Sequence, residues 1–261
     1  MQISLVGKNA LVGGSSDGIG KAIAIQLAAS GANVTLMARN QEKLTKVVAA
    51  LPKTAGQSHD YLLVDFNDHE AYKRKITAYF TERSVSILVN NTQGPSSGSA
   101  SEKNVEDYQG AFDLLFKNTL LTTELALKNM RKDQWGRIIN VASVSVKEPL
   151  PYLALSNSIR AAVVTWAKTL ATDVGVHHIT VNSILTGYFD TQRIAQLNSQ
   201  KAKQLGIPVN EVRSDMESKV PLKRIGSTEE YGYLVAFLAS DQAAYITGTQ
   251  IPIDGGLLKS I

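Results

Sequence analysis

The chain has 261 residues, 44% of them hydrophobic and 19% charged, with a formal charge of +4 and no cysteine. This is too apolar for a disordered chain and long enough for one α/β domain with a buried core, while the missing thiols exclude disulfides, a cysteine nucleophile and thiolate metal sites, as in a reducing cytoplasm. Lys and Arg are scattered or in short clusters such as Lys73, Arg74 and Lys75, no apolar run reaches the roughly 20 residues of a bilayer span, and the start has no signal-peptide pattern, so neither nucleic acid nor membrane is an expected partner.

Residues 9–12 read as a short apolar strand that breaks into GGSSDGIG, after which Ile19, Ala22, Ile23, Gln26 and Leu27 recur at helical spacing. Strand, glycine loop and helix in that order make a phosphate cradle, because the first helical turn presents unpaired N–H groups and the positive end of its dipole. Gly14 suits the tight turn, Gly18 leaves room for a pyrophosphate and Gly20 lets helix and sheet touch; Ser15, Ser16 and Ile19 share the loop. The next strand, 33–37, ends in Ala38 and Arg39. A carboxylate there would bind a ribose 2′-hydroxyl, whereas a guanidinium suits a 2′-phosphate, so NADP(H) is the expected cofactor.

A third strand, 61–64, ends at Asp65 and Phe66, and a helix patterned by Tyr72, Ile76, Tyr79 and Phe80 follows. Strand 85–89 runs into NNTQGPSSGS at Asn90, and a long helix is expected over 105–130. Strand 137–141 delivers Ser143 at its carboxyl end, and the next helix carries Ser156 and Arg160 one turn apart, with a face of small residues around Ala161, Val164 and Ala167. Strand 179–184 leads into LTGYFDT, 191–220 is a polar stretch suited to a lid, and a helix over 228–239 and a strand over 250–253 close the chain. This alternation predicts an α/β fold of the Rossmann type: a doubly wound parallel sheet of about seven strands, helices on both faces, in a single domain over 1–261. Right-handed crossovers set the strand ends Gly13, Arg39, Asp65, Asn90 and Ser143 along one edge, the expected crevice.

Taken together, GGSSDGIG, Asp65, NNTQG, GRIINVAS, ITVNSILTGYFDT and the closing PLKRIGSTEEYGYLVAFLASDQAAYITGTQIPIDGG resemble the short-chain dehydrogenase/reductase family, and within it the bacterial 3-oxoacyl-[acyl-carrier-protein] reductase branch. The resemblance covers nearly the whole chain. It implies an adenine contact at Asp65 with Phe66 beside it, cofactor contacts at Asn90, Gly187 and Thr191, and homodimers or homotetramers joined through the two long helices. It also implies a serine that holds the substrate oxygen, a tyrosine that moves its proton, and a lysine four residues later that lowers the tyrosine pKa and binds the nicotinamide ribose.

Ser143 takes the serine position, but ungapped alignment puts Ser156 in the tyrosine position and Arg160 in the lysine position. An aliphatic hydroxyl cannot be drawn toward ionisation as a phenol can, and a guanidinium keeps its proton, so Arg160 preserves ribose binding better than proton relay. Thr92, Gln93 and Thr186 are milder departures. Tyr152 and Tyr188 stand near enough in sequence to replace the lost phenol. Asn118 matches the family's helix asparagine only with a helix one turn shorter; otherwise it reads as an exposed or locally bonded helix residue.

Two functions follow. The first is an NADP-dependent oxidoreductase that reduces a 3-oxoacyl thioester or another ketone by hydride transfer, with Ser143, Ser156 and Arg160 at the reacting end. The alternative is a cofactor-binding protein with little or no activity and a regulatory or structural role. Lys201, Lys203, Arg213, Arg131 and Lys132 are the cations available to an acidic carrier protein, and no metal-ligating cluster is expected.

Overall fold

The computed structural model describes residues 3–260 and is built on one seven-stranded sheet in the order β3-β2-β1-β4-β5-β6-β7. The strands are β1 Asn9–Gly13, β2 Asn33–Ala38, β3 Asp60–Leu63, β4 Ile87–Asn90, β5 Gly136–Val141, β6 Ile179–Thr186 and β7 Gln250–Ile253, and every neighbouring pair is parallel. Parallel strands need helical crossovers, and those helices cover both faces. That explains why β5 and β6 are buried along nearly their whole length, polar residues included, rather than on alternate residues. The expected Rossmann-type architecture is the one observed.

On one face, α1 Gly18–Ala29, α2 Gln41–Ala50 and α9 Thr228–Leu238 bury Ile23, Leu27, Leu44, Val235 and Leu238 against Val12, Leu36 and Ile184. On the other, α3 His69–Glu82, α5 Asn118–Asp133 and α6 Ala154–Val174 bury Tyr72, Ile76, Leu125, Met130 and Ala167 against Leu11, Leu88 and Ile138. Asp17, Asn40 and Asp68 cap α1, α2 and α3 by accepting main-chain N–H bonds, which fixes where each helix starts.

Three segments differ from the sequence expectation. Helix α2 is legible only from its cap and from Leu44 and Val47, its two buried residues. The long helix is α4 Val105–Phe112, a π-helical turn over Asp113–Lys117, and then α5, because apolar spacing alone does not reveal one extra residue within a turn. The polar stretch 191–220 holds two helices, α7 Gln192–Leu205 and α8 Val209–Lys219, broken at Gly206, whose φ of 65° only glycine adopts freely. Asn198, Ala202 and Val212 are their only fully buried residues, so this pair is thinly anchored. Among the described residues, no helix is long and apolar enough to cross a membrane.

At the amino-terminal edge of the sheet, Arg137 is 2% exposed. Its guanidinium donates to the carbonyls of Ser240, Gly136 and His178, stacks on Trp135 at 4.3 Å and reaches the exposed carboxylate of Asp241 at 3.3 Å. Ser240 and Gly136 are buried and the carboxylate is not, so the main-chain bonds decide the energy. Arg137→Leu is expected to cost about 2–4 kcal/mol, and Asp241→Asn under about 1 kcal/mol, by urea denaturation at fixed protein concentration. Equal losses would mean that the cation serves only the ion pair.

Candidate cofactor and substrate site

The carboxyl edge of the sheet opens into a cavity of about 750 Å³. Its walls include Gly14, Ser16, Gly18, Ile19, Gly20, Arg39, Phe66, Ser143, Ser156, Arg160, Gly187 and Thr191, which the structure brings together from six separate stretches of sequence. The glycine loop owes its shape to close contact. Gly14 has φ of 55°, and a Cβ on Gly20 would lie 2.2 Å from the Gly14 carbonyl oxygen, so no side chain fits there. Asn91 fastens the loop from β4 by donating its amide to the carbonyl of Gly13 at 3.0 Å.

Ser15, Asp65 and Asn90 are not part of the wall. Ser15 is fully buried: its hydroxyl donates to the Val12 carbonyl and accepts from Met37 N–H, tying the loop to β2. Asp65 is exposed beside Phe66 and accepts from Asn67, with Arg39 4.0 Å away. Asn90 turns back into the molecule, donating to Thr123 and Asn140.

Charge is unevenly spread around the cavity. Arg39, Lys43, Arg160 and Arg193 line it, and Asp17 is the one wall carboxylate. The Lys43 ammonium bonds Asp17 at 2.8 Å and holds that carboxyl below the ordinary carboxylate range, so Asp17 stays charged and neutralised. A cationic groove beside an open helix amino terminus fits a dinucleotide rich in phosphate, and Arg39 with Lys43 at the far end fits a further 2′-phosphate. Lys43 and Asn91 were not singled out from sequence. Lys43 stands three residues after the cap Asn40, in the first turn of α2, and the capping position is the signal that could have found it.

At the other end, α6 carries Ser156 and Arg160 to the end of β5. Arg160 donates through Nε to Ser156 Oγ at 3.2 Å and through Nη1 to the Val141 carbonyl. Burial pushes its pKa down from the usual guanidinium value, and a guanidinium keeps its proton in proteins. The main-chain N–H of Ser145 donates to Ser143 Oγ at 3.1 Å.

No tyrosine lines this cavity. Leu153 and Gly187 do, but the adjoining Tyr152 and Tyr188 turn to the lid side, where Lys219 and Asp215 act on them. Burial raises both phenols, the wrong direction for an acid at neutral pH.

Asn118 is neither exposed nor only locally bonded. It is 1% exposed, donates to the Phe66 carbonyl at 2.8 Å and lies 2.7 Å from His69 Nδ1, so it braces the Phe66 side of the cavity instead of facing Arg160. Leu115 and Thr119 face Arg160 from that helix, across a small polar void.

A family model described as enoyl-(acyl carrier protein) reductase matches residues 14–258. The NADPH-dependent reductase BacG of Bacillus subtilis is 32% identical over 258 residues, covering 97% of this chain and 99% of that protein. The 3-oxoacyl-[acyl-carrier-protein] reductase FabG of Pseudomonas aeruginosa is 32% identical over 262 residues, covering 99% and 100%. The solved L-sorbose reductase of Gluconobacter frateurii, complexed with NADPH and L-sorbose, superposes with a TM-score of 0.93 at 30% identity, covering both chains in full. A glycine-loop fold matched from end to end by such relatives leaves one assignment: the chain belongs to the short-chain dehydrogenase/reductase family.

Proposed function

We propose that this protein is an NADPH-dependent reductase of a small carbonyl compound. The observation that carries the reading is the single cavity with a cationic, glycine-walled dinucleotide half and a hydroxyl-lined half containing Ser143, Ser156 and Arg160. Reduced cofactor bound there supplies a hydride. The N–H groups at the start of α1 hold the pyrophosphate, Arg39 binds the 2′-phosphate with Lys43 shared between that phosphate and Asp17, and Thr191, packed within 3.3 Å of where a Gly18 Cβ would stand, closes over the loop. Arg160 reaches the ribose hydroxyls, and Ser143 and Ser156 hold the carbonyl oxygen while negative charge develops on it. With no phenol on the wall, water delivers the proton.

The lid favours a free small molecule over an acyl chain on an acidic carrier. Lys201 pairs with Asp215, and Arg213 with Asp190 and Glu217, so these cations are largely neutralised within the lid. A second reading, a cofactor-binding member with a silenced site, is favoured by Ser156 alone. Self-association belongs to either reading. Phe112 and Leu120 are exposed on the α4–α5 face, and Phe112 stacks on Phe116, which meets Trp166 of α6 edge-on.

Arg39→Ala should weaken NADPH binding roughly tenfold or more and NADH binding far less, by fluorescence titration; equal effects on both would remove the 2′-phosphate argument. Ser156→Tyr combined with Arg160→Lys should raise turnover of a panel of ketones and 3-oxoacyl thioesters by about 10² or more if the site is silenced. Loss of an existing activity instead supports the reductase as it stands. Sedimentation at micromolar concentration should find dimers or tetramers, and a monomer would contradict the helix-face interface.

A further inference from the structure

Thr186 and Tyr231 are unused by the mechanism above, although Thr186 lines the cavity. The Tyr231 hydroxyl is 3.0 Å from Thr186 Oγ1. Tyr231 is 0% exposed, and among the described residues Thr186 is the one hydrogen-bond partner of its phenol. A buried phenol that only accepted would leave its own proton without an acceptor, so Tyr231 donates and Thr186 accepts. Burial raises the Tyr231 pKa, against smaller opposite pulls from the Thr186 hydrogen bond and the Arg160 charge, which keeps the phenol neutral. The Thr186 proton is then free for the cavity.

The same accounting applies to its neighbours. Ser143 Oγ accepts from the Ser145 N–H and Ser156 Oγ from Arg160 Nε, so each has its own proton left to offer. The sheet register brings these groups together. Val141, the last residue of β5, pairs with Ile184 of β6, and two residues further along each chain stand Ser143, just past the end of β5, and Thr186, the last residue of β6. Arg160, bonded to the Val141 carbonyl, holds Ser156 beside the same strand end.

We propose that Thr186, oriented by Tyr231, is the third donor of an oxyanion pocket shared with Ser143 and Ser156. The pocket presents hydroxyl donors and a fixed cation, and the wall carboxylate, Asp17, belongs to the glycine-loop end. It therefore recognises a substrate oxygen by negative charge, either that developing on a carbonyl as hydride adds or that of a carboxylate. Thr186 is a donor to the substrate, and Tyr231 is a positioning residue that acts through it. The inference rests on the reductase reading for its role in turnover, but not for the pocket's affinity for an anion.

Calorimetry with acetate and the NADP⁺ complex reads that affinity without turnover. Thr186→Val should weaken acetate binding about tenfold, while Thr186→Ser restores it, which excludes a folding defect. Tyr231→Phe should weaken it several-fold in the parent protein and not at all in the Thr186→Val background. With a reducible carbonyl, Thr186→Val should lower kcat more than it raises KM. Unchanged acetate binding in Thr186→Val, or a Tyr231→Phe effect that persists without the threonine hydroxyl, overturns the proposal. Acetate binding that follows the cycle in a protein that reduces no carbonyl leaves the pocket standing and removes the reductase reading.

Discussion

A parallel sheet covered on both faces cuts its strands off from water except at the two ends, and that restriction organises the molecule. Along the strands, Leu11, Val12, Leu88 and Ile138 are 0% exposed. A polar group carried within a strand therefore has to be met by a partner inside, as the Thr35 hydroxyl is by Tyr79, or else sit at one edge or the other. At the amino-terminal edge, Arg137 gathers three carbonyls and a ring, and its bonds hold together chain segments more than 100 residues apart in sequence. At the carboxyl edge, the first turn of α1, the end of β5 and the end of β6 turn their unused donors toward a common space. One edge closes the fold, and the other is left open to ligand.

The carboxyl edge also shows what replacing a lysine by arginine does when the neighbouring phenol is absent as well. A lysine ammonium is a point charge that can approach a ribose and lower a nearby phenol's pKa. The Arg160 guanidinium instead spreads its donors over Ser156 Oγ and the Val141 carbonyl, in a planar fork that fixes its position. Its charge stays in place, and two of its five N–H groups are engaged, which leaves the others for the ribose. The geometry is that of electrostatic stabilisation rather than proton transfer, and it is consistent with the raised pKa values of Tyr152 and Tyr188 on the lid side.

What was legible in the sequence was what depends on neighbours along the chain. The glycine loop, the seven strands and the Arg39 position all express local rules of turn, periodicity and capping, and they were placed to within a few residues. What was not legible depends on partners brought together by the fold. Thr186 and Tyr231 are 45 residues apart, and Asn118 and Phe66 are 52 apart. No local pattern links either pair. Ser15 shows the converse error: it sits inside the right motif, yet its hydroxyl is spent on Val12 and Met37. The motif located the loop without saying which of its side chains turn inward.

The π turn over Asp113–Lys117 sets the rotational phase of everything after it. One residue of an α-helix corresponds to about 100° of rotation, so the extra residue in that turn decides which side chain of α5 borders the void beside Arg160. As built, Leu115 and Thr119 border it, and Asn118 looks away toward Phe66 and His69. With one residue fewer, Asn118 would take the angular place of Thr119 and turn its amide toward the guanidinium. The turn thus works as a detent on a dial: the same helix, clicked round by one step, would present the buried cation with an amide in place of a threonine.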